Sequence, residues 1–103
     1  MLEKAGKRFA IVLDPSDNVA TLLSDAPKGE KVMLTGAGGA VLTREPVRFG
    51  HKIALGKISA GENIVKYGQR IGRALADIAE GEWVHIHNMA SALDAGFRER
   101  IEP

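Results

Sequence analysis

The three histidines of this chain fall in two short segments, Phe49-Gly50-His51-Lys52-Ile53-Ala54-Leu55 and Trp83-Val84-His85-Ile86-His87-Asn88. Imidazole is the side chain best suited to proton transfer near neutral pH, and it is a common metal ligand. Side chains two residues apart on a strand project from one face. The spacing therefore predicts His85 and His87 side by side on a strand, with Val84 and Ile86 on its other face. The alternative for the pair is a solvated strand face with no chemistry. A metal site confined to this chain is the weaker expectation, because stable sites use three or more protein ligands. His51 would have to arrive from another strand to complete one.

The elements that must hold these residues read as short strands. Twelve glycines in 103 residues imply many tight turns, since glycine takes positive φ at little cost. With many β-branched residues they indicate a β-rich domain. Strands are expected at Phe9–Leu13, Lys31–Thr35 and Ala40–Thr43. Val19–Leu23 reads as a strand or one helical turn. Asp14-Pro15-Ser16-Asp17-Asn18, Ala26-Pro27-Lys28-Gly29 and Gly36-Ala37-Gly38-Gly39 read as turns or loops. Gly29-Glu30-Lys31-Val32, Gly61-Glu62-Asn63-Ile64 and Gly81-Glu82-Trp83-Val84 share the form Gly-Glu-x-(Val/Ile), and each opens a strand. Three such units suggest a folded-over β structure. Ile71, Ala74, Leu75 and Ile78 have helical spacing and predict a short helix ending before Gly81. Leu93, Phe97 and Ile101 recur every four residues, which fits a terminal helix or a frayed end.

Bulk properties exclude several classes. One domain is expected, with residues 1–7 as a lead, 8–92 as the folded unit and 93–103 as a tail. A formal net charge of +1 and five aromatic residues give no case for nucleic-acid binding. Cysteine is absent, which removes disulfides and thiolate chemistry and suits a cytoplasmic location. No apolar run approaches the ~20 residues a membrane-spanning helix needs. Gly36-Ala37-Gly38-Gly39 lacks the Gly-Lys-Ser/Thr ending of a phosphate loop. Gly68 to Gly72 does not match a dinucleotide fingerprint, and both glycines read as turns. There is no Gly-x-Ser-x-Gly elbow.

Taken in order, Asp17-Asn18-Val19-Ala20-Thr21, the His51 segment, Val65-Lys66-Tyr67-Gly68 with Ile71-Gly72, and Gly81-Glu82-Trp83-Val84-His85-Ile86-His87-Asn88 resemble the amino-terminal domain of the altronate and galactarate dehydratase family. That domain is of the SAF type, a mainly β fold called the β-clip. Small subunits of the same family occur in sulfolactate sulfo-lyase. The resemblance covers roughly residues 8 to 92. It implies a component of a hydroxy-acid lyase, removing water or, in one branch, sulfite. It also implies a divalent metal, typically iron, carried mainly by a large subunit. The family's large catalytic domain has no counterpart in these 103 residues, so the chain is expected to be a small subunit or an excised domain that works beside a large catalytic chain and is inactive alone. A homo-oligomer is equally compatible.

Elimination from a hydroxy acid needs cations to hold the carboxylate, a base for the carbon-bound proton, and an acid for the leaving hydroxyl. Under that reading His51, His85 and His87 are the acid, base or ligand candidates. Lys52 and Lys66 can pair with carboxylate, and Tyr67 and Asn88 can bond hydroxyls. Each also has a plain alternative as a solvated or turn residue. Trp83 reads as core or interface, and Arg70 and Arg73 as solvated. Two other functions stay open: a module that binds acidic sugars without catalysis, and a purely structural assembly subunit.

Overall fold

The computed structural model describes residues 7–91. Nine strands run in chain order: β1 Arg8–Ile11, β2 Val19–Leu22, β3 Lys31–Thr35, β4 Ala40–Leu42, β5 Lys52–Ala54, β6 Asn63–Lys66, β7 Gln69–Ala74, β8 Trp83–Val84 and β9 Met89–Ser91. There is no helix among the described residues. A six-stranded sheet has the order β4-β3-β1-β2-β5-β8, and a three-stranded sheet the order β6-β7-β9. The β1–β3 pair is parallel and the others are antiparallel.

The Gly-Glu repeat marks one kind of corner, used four times. In each, a small or branched apolar residue makes a bridge, a glycine follows three residues later, and a strand begins two residues after that. The bridges pair Ala26 with Val47 and Ile58 with Ile78. The glycines Gly29, Gly50, Gly61 and Gly81 all take positive φ. Gly29 N–H donates to Thr43 O, and Thr43 N–H donates back to Glu30 O. Gly61 and Glu62 make the same exchange with Ala74, and Gly81 and Glu82 with Ala54. The fourth copy, absent from the Gly-Glu pattern, is Gly50-His51 exchanging with Leu22. His51 thus stands where the other three corners place glutamate. β5, which follows this corner, has no counterpart in the strand expectations above.

The expected helix over 71–78 is instead β7 and the corner after it. Pairing with β6 and β9 overrides the 3.6-residue pattern, and Gly72 lies inside the strand rather than in a turn. A Cβ at Gly72 would stand 2.3 Å from the carbonyl oxygen of Ala90, so β9 closes directly over this residue. Leu75, counted on the apolar helix face, is exposed. Val19–Leu22 resolves as a strand. The expected helix through Leu93, Phe97 and Ile101 lies outside the described residues.

Strands β2, β5 and β8 are covered on both faces. One face contributes Ala20, Leu22 and Ile53 to a core with Ala10, Val32, Val41 and Val47. The other contributes Val19, Ala54 and Val84 to a core with Ile58, Ile64, Ala74 and Ile78. Each fully buried Leu or Ile contributes about 1.5–3 kcal/mol. The turn predicted at residues 14–18 links the two layers. Asp14 Oδ2 accepts from the Ser16 amide and hydroxyl. Asp17 Oδ2 accepts from the amides of Leu13 and Asp14, and its Oδ1 accepts from Gly68 N–H at 2.8 Å. Asn18 bonds Val65 through side chain and backbone: its Oδ1 accepts from Val65 N–H at 2.7 Å, and its N–H donates to Val65 O at 3.1 Å. Its Nδ2 donates to Asn63 O at 2.9 Å. Replacing Asn18 by Ala strips the Val65 amide of its partner and should cost about 1–3 kcal/mol. Urea unfolding measures that loss, and the extra hydrogen exchange should concentrate in β6 and β7.

Candidate functional site

The histidines do come together, but not on a strand. β8 stops at Val84, and residues 85–88 form a turn. The turn is closed by Asn88, whose Oδ1 accepts from His85 N–H at 2.9 Å and whose Nδ2 donates to Trp83 O at 2.9 Å. Asn88 N–H also donates to His85 O. An Asn side chain competes well with strand pairing in this way, which is why the expected alternation of residues 84–87 fails. Both polar atoms of the Asn88 side chain are engaged within the turn, so its evident task is to shape the loop that carries the two histidines.

Trp83 is the centre of the cluster. Its ring lies 5.0 Å from His85, nearly parallel at 13°. His87 is 4.9 Å away and His51 5.8 Å, both tilted. His51 and His85 are 5.0 Å apart. The indole N–H donates to His51 Nδ1 at 3.1 Å. The Trp83 amide donates to Glu45 Oε2 at 3.0 Å, a contact that sequence reading gave no means of finding. Strand register explains the meeting: Ile53 pairs with Trp83, and His51 is two residues before Ile53 on the same side. In two of the other corners the glutamate in this slot folds back onto its own turn, Glu62 to Ser59 N–H and Glu82 to Ala79 N–H. Imidazole at His51 reaches across to Trp83 instead.

Lys52 lies on β5 of the same six-stranded sheet, on the opposite face of the strand from His51, and Lys66 comes from the three-stranded sheet. Lys52 pairs with Thr21 and Val84, alternates with His51, and is half-buried. Burial and the charge of Lys66 both hold the Lys52 ammonium below its usual pKa. Lys66 ends β6, and its Nζ lies 5.0 Å over the Tyr67 ring. Tyr67 and Gly68 form the two-residue turn of the β6–β7 hairpin, with φ of 55° and 76°. Such turns favour Asn-Gly. Tyr67 is the one non-glycine residue with positive φ among the described residues, a conformation that costs roughly 1 kcal/mol or more.

The site is therefore a partly exposed cluster of three imidazoles around Trp83, with Lys52 near enough to act on His85 and Lys66 near enough to act on Lys52. His85 has its pKa lowered, first by burial, then by the charges of His51, Lys52 and His87. Among the described residues, no three His, Asp or Glu side chains converge to hold a metal ion. His51 Nδ1 is already engaged by the indole, and the neighbouring lysines repel a cation. These residues do not fit a divalent metal of their own. Two large apolar side chains flank them in solvent, Phe49 at 65% and Ile86 at 76% exposure.

The chain belongs to the altronate/galactarate dehydratase SAF domain family, whose model matches residues 8–92. It is 44% identical over 87 residues to altronate dehydratase of Escherichia coli K12, covering 84% of this chain and 17% of that protein. Against galactarate dehydratase (L-threo-forming) of the same organism the identity is 37% over 76 residues, 74% of this chain and 14% of that protein. The (2R)-sulfolactate sulfo-lyase subunit alpha of Chromohalobacter salexigens is 37% identical over 46 residues, 45% of this chain and 49% of that subunit. The chain thus spans about a sixth of the length of the altronate dehydratases it matches.

The depressed pKa of His85 has a signed consequence. The unfolded chain takes up a proton here at higher pH than the folded one. Stability should therefore fall as pH drops below about 6.5 and level off beneath the folded pKa. His85→Gln should flatten that part of the profile. Urea midpoints at pH 7.5 and 5.5 for both proteins test this, and an equal drop in both would rule it out.

Proposed function

We propose that this chain is the small, amino-terminal-type component of a hydroxy-acid lyase, acting on a sugar acid such as altronate or galactarate beside a larger catalytic component. The observation that carries the reading is the gathering of three imidazoles around Trp83 on one face, with the Lys52 ammonium near enough to act on His85. That face belongs to a domain which makes up only a sixth of the related dehydratases. An iron or other divalent ion would be held by the larger component, since the donor set here does not suit one.

The chemistry follows from the groups. Lys52 and Lys66 offer positive charge to the substrate carboxylate, which stabilises the enolate-like charge that forms when the neighbouring carbon loses its proton. His85, kept neutral by burial and by its cationic neighbours, suits the base that takes this proton. A second imidazole suits the acid that protonates the departing hydroxyl. Loss of water leaves an enol, which becomes the keto acid. Tyr67, held in its strained turn, can bond a substrate hydroxyl. Phe49 and Ile86 supply apolar contact for the component that closes the site. A sulfo-lyase reading uses the same face with sulfite as leaving group. It is favoured by one fact: a 46-residue match is already 49% of the sulfolactate sulfo-lyase subunit alpha, so that relative is itself a small chain.

The test is reconstitution of the chain with its co-purifying large component, assayed with a panel of hydroxy acids for keto acid and for sulfite. His85→Ala and His87→Ala should each lower turnover by about 10²-fold or more while leaving assembly intact. Full activity in both variants would leave only an assembly role. Absence of a partner and of turnover, with acidic sugars still bound, would favour a binding module.

Lys52→Met should raise the midpoint of thermal unfolding of the isolated chain, because it removes a half-buried charge that faces Lys66. In the reconstituted enzyme the same change should raise KM for the acid at least tenfold. A lower midpoint would show that Lys52 is not under electrostatic strain.

A further inference from the structure

We propose that Trp83 is the positioning residue of the imidazole cluster, fixing His51 as the tautomer with its proton on Nε2 and thereby assigning His51 to donate rather than accept. The argument is one of valence. Indole Nε1 is a donor only. Its bond to His51 Nδ1 at 3.1 Å therefore requires an unprotonated Nδ1. A neutral imidazole then carries its single proton on Nε2, the nitrogen left to meet a ligand. The Nε2–H can donate to a carboxylate or a leaving oxygen. It cannot serve as a base, and a second proton at Nδ1 would set two N–H groups against each other and expel the indole.

The rest of Trp83 supports the same task. Its backbone is held on both sides, the amide by Glu45 and the carbonyl by Asn88, so the ring is fixed relative to the 85–88 turn. Its face stacks on His85, and its position between His51 and His87 sets the spacing of all three imidazoles. Of the three, His51 alone has a ring nitrogen bonded by the indole. The base in the elimination then falls to His85 or His87. This assignment of roles rests on the lyase reading, whereas the tautomer does not.

Long-range ¹H–¹⁵N correlation spectra of the full 103-residue chain, labelled at histidine, read the tautomer directly. The expected result is a pyridine-type Nδ1 and a pyrrole-type Nε2 for His51 at pH 7.5. Trp83→Phe, which keeps an aromatic ring but removes the donor, should convert His51 to a mixture of tautomers. In the reconstituted lyase it should lower kcat more than it raises KM. A wild-type His51 protonated on Nδ1, or a Phe variant with an unchanged His51 signal, would overturn the inference. The wild-type spectrum alone decides the first point even if the variant folds poorly. The tautomer seen without any lyase turnover would support the positioning role and remove the lyase reading on which the assignment of roles depends.

Discussion

The two layers of this domain meet through one dipeptide. Asp17 and Asn18 connect the strand end before β2 to the β6–β7 hairpin, through Gly68 in one case and through Asn63 and Val65 in the other. The hairpin carries Lys66 and Tyr67, while β5 and β8 carry His51, Lys52 and Trp83. Without that clamp the separation of the two layers would rest on the second core, the 85–88 turn that runs from β8 into β9, and the bond from Leu75 N–H to Asn88 O. Apolar contact fixes distance poorly because it has no direction, whereas a pair of amide–carbonyl bonds to one residue fixes both register and angle. The geometry of the site is thus controlled from a turn that contributes no functional group to it.

Local sequence pattern revealed much of the frame. The turn residues at 14–18, the strands at 31–35 and 40–42, and the Gly-Glu corners each follow from chemistry confined to a few neighbouring residues. The corner at Gly50 was hidden because His51 occupies the glutamate slot, and the repeat was visible only where glutamate remained. The helix expected over 71–78 arose from Ile71, Ala74 and Ile78, whose burial is real but belongs to a strand and a bridge in separate surroundings. Spacing alone could not separate these cases, because the deciding partners, β6 and β9, lie elsewhere in the chain. The grouping of His85 with His87 was legible. Its form was not, since it depends on Asn88 reaching back to Trp83 and His85.

The exception at His51 also explains how a repeated corner yields a unique site. Where glutamate caps its own turn, the side chain is consumed in local structure and stabilises it. Substituting imidazole gives up that bond and frees a ring that can span to the next strand. Two corners are therefore capped by their own glutamate, and the one at His51 is adapted for contact with Trp83. A similar trade is visible at Tyr67, which adopts a conformation that asparagine or glycine would hold more cheaply, and at Lys52, whose charge is half-buried beside another. Stability is given up at these three positions.

Electrostatics then determines what the face can accept. Burial first, and then the charges of neighbouring imidazole and ammonium groups, raise the cost of carrying charge here and hold the pKa values of His85 and Lys52 down. Such a cluster is relieved by an anion and made worse by a cation. The cluster thus has a physical reason to attract an anion rather than a cation. It also has a reason to be open: ammonium groups sealed in apolar surroundings would lose their protons, whereas groups that keep contact with water keep their charge.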